Sequence, residues 1–294
     1  MKDFVWLASY PKSGNTWMRI LLSGLTLAEG KGIDINALDG GGLASSRGAF
    51  DNQLMIDSGL LTFEEIDRMR PILYTMLAED EDLSPVSKAV PIRFVKVHDA
   101  YTRLPGGEPL LAGDRAAKGA IVIVRDPRAV APSLANHMRS TPDDAVTFMD
   151  NPKAAFAARE DRITPQLRQK LLRWSDHVSS WLDQPDIPVH LLRYEDLKAD
   201  TAAALGSALR FAGLDPEPEA LRRAVALADF EKLQAQERES GFAEWIDKSG
   251  KGRVFFRSGQ AESWRSELTA EQRARIERAH GAMMRRLGYL PDGS

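Results

Sequence analysis

Four short apolar runs, residues 4–8, 93–97, 120–124 and 189–192, restrict what this chain can fold into more than any other feature. Three are dense in Val, Ile or Leu without strict alternation, the pattern of parallel strands covered on both faces. Helical patterns lie between them, and strands alternating with helices build a layered sheet. The expected fold class is α/β: three layers, with a mostly parallel central sheet and helices on both faces. Each run ends in polar residues: Ser9-Tyr10, His98-Asp99, Arg125-Asp126 and Tyr194-Glu195-Asp196. Ligands of open α/β sheets bind beyond the carboxyl ends of strands, so chemistry is expected at these four ends.

The first run feeds "SYPKSGNTWMRILLSGL", residues 9–25. A strand that turns tightly into a helix aims several backbone N–H groups at one point, and the helix dipole adds partial positive charge. Pro11 pre-sets the turn and Gly14 permits close backbone approach. Lys12 adds a full charge, and Ser13 and Thr16 add hydroxyl donors. This P-loop-like strand-loop-helix suits an anion; the same residues also suit an ordinary turn with a solvated lysine. Its order departs from the common nucleotide loop, where Gly precedes Lys and Ser or Thr follows it.

Composition narrows the class. With 43% hydrophobic and 28% charged residues in 294, the chain can bury a core without disulfide or metal. It has no cysteine, which excludes a disulfide framework, a thiolate zinc site and a Cys nucleophile. A net charge of -3 gives no general attraction for nucleic acid. No apolar stretch approaches the ~18 residues of a membrane span. The N-terminal run is too short for a signal h-region. A soluble, cytoplasmic protein is expected. No linker-like stretch divides the chain, so residues 1–294 are expected to form a single domain.

Several segments are expected as loops. Residues 39–47 are Gly-rich, and residues 140–153 carry two prolines ahead of another helix. Residues 234–253 are polar yet hold Phe242 and Trp245, which suits either a lid or aromatics packed on the body. Thr269 is expected to cap an Arg/Glu-rich helix running to Leu287.

"YPKSGNTW" resembles the 5'-phosphosulfate loop of the PAPS-dependent cytosolic sulfotransferases, YPKSGTTW, with Asn15 the one change. PAPS is 3'-phosphoadenosine 5'-phosphosulfate, and transfer releases adenosine 3',5'-bisphosphate (PAP). The resemblance implies that Lys12, Ser13, Gly14, Asn15 and Thr16 hold the phosphosulfate and that Trp17 lies against the adenine. "RDPRAVAPS", ending at Ser133, resembles the family's RNPRDVAVS, so Arg125 and Ser133 match its 3'-phosphate ligands. "RSGQAESWRSELT" resembles RKGxxGDWKNxFT. There Arg257, Ser258 and Gly259 would complete the 3'-phosphate pocket, with Ser258 in place of a lysine and Lys251 or Arg253 as substitutes. Tyr194 and Phe230 match a nucleotide-contacting Tyr and an adenine-stacking Phe. Arg128 is expected to be a solvated surface charge.

"FVKVHDAY", residues 94–101, places Lys96 and His98 two apart, hence on one face of a strand. It resembles the family's KTHLP segment, which implies His98 as the base; Asp99 is expected to orient or to shape the loop. Lys12 would contact the bridging oxygen, Lys96 the sulfuryl oxygens, and Ser133 would hold Lys12 until acceptor arrives. His137, His177, His190 and His280 suit structural roles. The implied reaction moves a sulfuryl group from PAPS to a hydroxyl or amine of a small-molecule acceptor, without metal, nucleic acid or membrane. Residues 30–91 and 140–181 are expected to build the acceptor pocket. Its candidate liners are Met55, Phe63, Tyr74, Met76, Phe148 and Trp174, each of which also suits ordinary core. The dimer stretch KxxxTVxxxE is not matched. Two alternatives stand beside this reading: a P-loop-type small-molecule kinase needing Mg²⁺, and a non-catalytic nucleotide-binding protein.

Overall fold

The computed structural model of the protein describes residues 3–27, 30–38, 42–79, 90–244, 254–257, 259 and 262–291. Its strands are β1 (Phe4–Ser9), β2 (Arg93–Val97), β3 (Gly119–Val124), β4 (Ala155–Phe156), β5 (Gln169–Lys170) and β6 (Val189–Arg193). The four expected runs form one sheet in the order β2-β1-β3-β6. β1 runs parallel to both neighbours, with Leu7 opposite Lys96 on one side and Ile121 on the other. Every residue of β1 and β3 is buried, so both faces of these strands must be apolar. Trp6 of β1 fills part of that core, meeting the Phe4 and Tyr74 rings edge-on at 4.6 and 5.2 Å. Helices surround the sheet, which is the expected α/β class.

Contacts divide the chain into two compact units. One comprises residues 1–10, 41–123 and 149–191; the other comprises residues 11–40, 124–148 and 192–294. The first unit holds β1, β2, the β4–β5 hairpin and helices Arg47–Leu54, Phe63–Glu79 and Trp174–Leu182. The second holds helices Asn15–Thr26, Pro127–Met138, Thr201–Phe211, Pro218–Leu227, Phe230–Ser240 and Ala270–Arg286. Within it, helix Asn15–Thr26 approaches helix Pro218–Leu227 at Gly24, where a Cβ would lie 3.1 Å from the Ala224 Cα.

Three expected loops are more regular than their composition suggests. In the Gly-rich stretch, Leu43 bridges to Lys96 beside β2. The Lys96 N–H donates to Gly42 O at 3.1 Å and the Ala44 N–H donates to Lys96 O at 2.9 Å. β2 is an edge strand, and these bonds satisfy backbone groups that burial would otherwise orphan. Residues 39–41 lie outside the described residues. The lead-in at 140–153 contains helix Pro142–Met149. Thr141 and Asp144 cap it reciprocally, the Asp144 N–H donating to Thr141 Oγ1 at 3.2 Å and the Thr141 N–H to the Asp144 carboxylate at 2.9 Å. Residues 234–240 belong to helix Phe230–Ser240 rather than a loop, with Asp229 as its cap. Phe242 is buried behind it. Trp245, Lys251 and Arg253, the rest of the expected lid, lie outside the described residues. Thr269 caps helix Ala270–Arg286 through a reciprocal box with Gln272, as its sequence implies. No described helix is long and apolar enough to cross a membrane.

Candidate functional site

The first constellation lies in the second unit. After β1 the chain turns at residues 10–14 and enters helix Asn15–Thr26. Lys12 and Gly14 both take positive φ, 71° and 110°. For Lys12 this left-handed backbone carries strain of about 1–3 kcal/mol, the kind stored at functional loops. At Gly14 a side chain is excluded twice over, because a Cβ would lie 2.7 Å from the Tyr194 ring. The helix starts with no side-chain cap and no acidic residue in its first turn. Its first amides have no intrahelical carbonyl, so this end is electropositive. Ser13 is buried, and its Oγ has no hydrogen-bond partner among the described residues. An orphaned buried hydroxyl beside an uncapped helix end is a fit for an anionic ligand. Asn15 and Thr16 are buried beside it, and Trp17 is half-buried with its Nε1–H donating to Ala228 O at 3.3 Å.

Strand ends and one returning segment surround this turn. Arg125, at the end of β3, stacks its guanidinium 4.3 Å over the Tyr194 ring and donates from Nη1 to Lys12 O at 3.4 Å. Tyr194, at the end of β6, sits 5.6 Å from the Trp17 ring centroid. The Lys12 ammonium lies 3.7 Å over the Phe255 ring. Phe255 is held in turn by the Glu237 carboxylate, which accepts the Phe255 N–H at 2.5 Å and the Phe256 N–H at 2.8 Å. Gly259 (φ 61°) rests on the Phe230 ring, which a Cβ would meet at 2.8 Å. Arg257 is exposed and paired with Glu267. Ser258 lies outside the described residues, and Ser133 is half-buried on helix Pro127–Met138. The sequence reading missed Phe255, although the "FF" before the third motif was its visible signal.

Arg128 is not the solvated charge expected. Its side chain is 12% exposed, bonded to Asp126 at 2.7 Å and to Glu277 at 2.8 Å, with Trp264 4.2 Å beneath its guanidinium. Asp126 also caps the helix through the Arg128 N–H, a task Asn performs equally well. Glu195 joins two strand ends, accepting the Asp126 N–H at 3.1 Å and the Tyr289 O–H at 2.8 Å. Asp126 is a neighbour in the chain, but nothing local in the sequence marks Glu277, Trp264 or Tyr289, which come from distant segments.

The second constellation lies in the first unit. Along β2 and the residue after it, Val95 and Val97 are buried while Lys96 and His98 are half-buried, the alternation that a strand face requires. His98 Nδ1 lies 2.8 Å from Ser9 O. A carbonyl can only accept, so this contact is a hydrogen bond in the tautomer with the proton on Nδ1; the Ser9 hydroxyl, 3.3 Å from the same nitrogen, is the donor in the other tautomer. Of the other histidines, His177 is fully buried; its Nδ1–H donates to Leu171 O at 3.1 Å, and burial lowers its pKa to about 4. Among the candidate pocket liners, Tyr74 and Trp174 are fully buried in the core and Met55 is exposed. No group of described His, Asp or Glu residues is arranged to hold a metal ion.

Comparison with known proteins bears on the family and the fold. The family model of the sulfotransferase domain matches residues 2–288. The flavonol 3-sulfotransferase of Flaveria bidentis is 25% identical over 293 residues, covering 93% of this chain and 79% of that protein. The luciferin sulfotransferase of Photinus pyralis is 24% identical over 276 residues, covering 90% and 67%. Among solved structures, a mouse sulfotransferase complexed with PAP superposes with a TM-score of 0.59 at 20% identity, covering 98% of this chain and 86% of its own. A retinol dehydratase in complex with androsterone and inactive cofactor PAP gives 0.56, also at 20%, covering 96% and 81%. These likenesses support the fold, and the match over nearly the whole length establishes that the chain belongs to the family of PAPS-dependent sulfotransferases.

Proposed function

We propose that the protein transfers the sulfuryl group of PAPS to a hydroxyl, or an amine, of a small-molecule acceptor. The observation that carries this reading is the cradle at residues 12–16: a left-handed lysine and glycine, an acid-free helix end and the orphaned Ser13 hydroxyl. Lys12, Ser13, Gly14, Asn15 and Thr16 would hold the phosphosulfate, with Arg125, Ser133, Arg257, Ser258 and Gly259 on the 3'-phosphate. Trp17, Tyr194 and Phe230 would hold the adenosine, and stacking on a base contributes about 1–3 kcal/mol. The two curated relatives are named for small molecules, which supports an acceptor of that class.

In the proposed step the acceptor oxygen forms a bond to sulfur in line with the bridging oxygen, whose bond to sulfur breaks. The acceptor proton would pass to His98 Nε2, the ring nitrogen opposite the one that meets Ser9. The Ser9 carbonyl then faces the imidazolium and stabilises it. Lys12 would neutralise charge on the departing bridging oxygen, leaving the Phe255 face to do so, and Lys96 would act on the sulfuryl oxygens.

Calorimetry of PAP against 5'-ADP with EDTA present tests the donor assignment. Metal-free binding of PAP at least about tenfold tighter than ADP is expected, as charge-assisted bonds to the 3'-phosphate require. Equal affinity, or preference for ADP once Mg²⁺ is restored, would replace this reading with the kinase alternative.

A further inference from the structure

We infer that the buried Arg70–Asp99 pair is a positioning device for His98, tying the base to the two segments expected to build the acceptor pocket. The inference rests on the reading of His98 as base. Both side chains are fully buried, at 0% exposure each. The Asp99 carboxylate takes two Arg70 nitrogens, at 3.0 and 2.6 Å, and the Lys170 N–H at 2.9 Å. The Asp99 carbonyl accepts the Trp181 Nε1–H at 3.0 Å, and the next residue's N–H, that of Ala100, donates to Lys170 O at 2.7 Å. Arg70 also donates to Tyr74 Oη at 2.8 Å and to Arg168 O at 3.1 Å. Residue 99 is thus gripped by helix Phe63–Glu79, by β5 and by helix Trp174–Leu182, while the ring of residue 98 is gripped by β1 through Ser9.

Stability alone does not account for this arrangement. A buried ion pair is often no better than apolar residues of similar volume. The segment that this one resembles carries Leu where Asp99 stands. What two apolar side chains cannot supply is a planar two-bond fork, which fixes distance and angle together. A catalytic group moved by 1 Å can lose on the order of 10²-fold in rate, so fixing the backbone beside His98 has a functional return. Arg70 belongs to the 30–91 segment, and Arg168 and Lys170 belong to the 140–181 segment. Through the pair, both segments bear on the residue next to the base.

The test compares the wild type with the double variant Arg70→Met/Asp99→Leu, which removes both charges and leaves neither buried alone. The readout is the long-range ¹H–¹⁵N histidine spectrum of the full chain, at a pH above the ordinary histidine range, with His98→Ala assigning the signal. Wild-type His98 is expected as the single Nδ1–H tautomer. In the double variant its two ring nitrogens should average, while His280 keeps its pattern and PAP affinity stays within about twofold, as for independent sites. Should the double variant fail to fold, Arg70→Lys serves, since it keeps the charge and loses the fork; partial averaging is then expected. An unchanged His98 spectrum in a folded variant, or an equal change at His280, overturns the inference. A wild-type His98 already averaged removes the orientation behind the base reading, and this inference with it; PAP binding would still stand.

Discussion

Lys12, Gly14 and His98 carry the proposed reaction, and the structure gives Gly14 a place that no other residue type fits. Gly14 holds φ at 110° and carries the Tyr194 ring where a Cβ would stand. Gly14→Ala must therefore shift the turn or the tyrosine at a cost of about 1–3 kcal/mol, and PAP affinity should fall at least about tenfold by calorimetry. Unaltered affinity would mean the cradle yields freely. Lys12→Ala should lose roughly 10²–10³ in turnover, the scale of one contact to developing charge. An enzyme keeping most of its rate would remove the leaving-group role. His98→Ala should lose roughly 10²–10⁴, the usual contribution of a positioned base. At this scale the sequence was informative about position: the motifs marked the turn after β1 and the strand ends at Arg125 and His98, where the structure places them. It was silent about partners, as the misread Arg128 shows, because Glu277 and Trp264 reach it from more than a hundred residues away.

Strands and helices were legible where local chemistry is self-contained. The four sheet strands announce themselves by apolar density, and Thr269 by its spacing to Gln272. Thr269→Ala removes one half of that box and should cost about 1 kcal/mol, a fall of about 2–4 °C in Tm for a chain of this size. Scanning calorimetry would show it, and no change would mean that packing alone fixes that helix. The same signal stood at Thr141 and Asp144, ahead of helix Pro142–Met149, but Pro142 and the acids read as loop composition. Proline at a first helical position is a start signal, so this miss was one of interpretation. The β4–β5 hairpin is different in kind. Two-residue strands have no periodicity to read, and their pairing is settled by what surrounds them.

For the whole molecule, one group sets a testable pH dependence. His177 is fully buried and its pKa falls to about 4 from 6.5, chiefly through burial. Between these values the unfolded chain holds the proton and the folded one does not, so stability rises with pH across the window. Its contribution is complete above pH 6.5 and is lost as pH falls toward 4, about 3 kcal/mol in all at 1.36 kcal/mol per pH unit. Urea denaturation at several pH values should show this slope in the wild type and a shallower one in His177→Gln; identical slopes would assign the acid sensitivity elsewhere. The sequence by itself determined the class of sheet and the chemistry of the strand ends, since apolar density, turn residues and charged types act through neighbours in the chain. Only the tertiary structure decided that Lys12 rests on Phe255, that Ser9 meets the His98 ring at Nδ1 and that Asp99 turns inward to Arg70. Those contacts join segments far apart in the chain, and a hydrogen bond or an ion pair has no meaning until folding brings its two ends within reach.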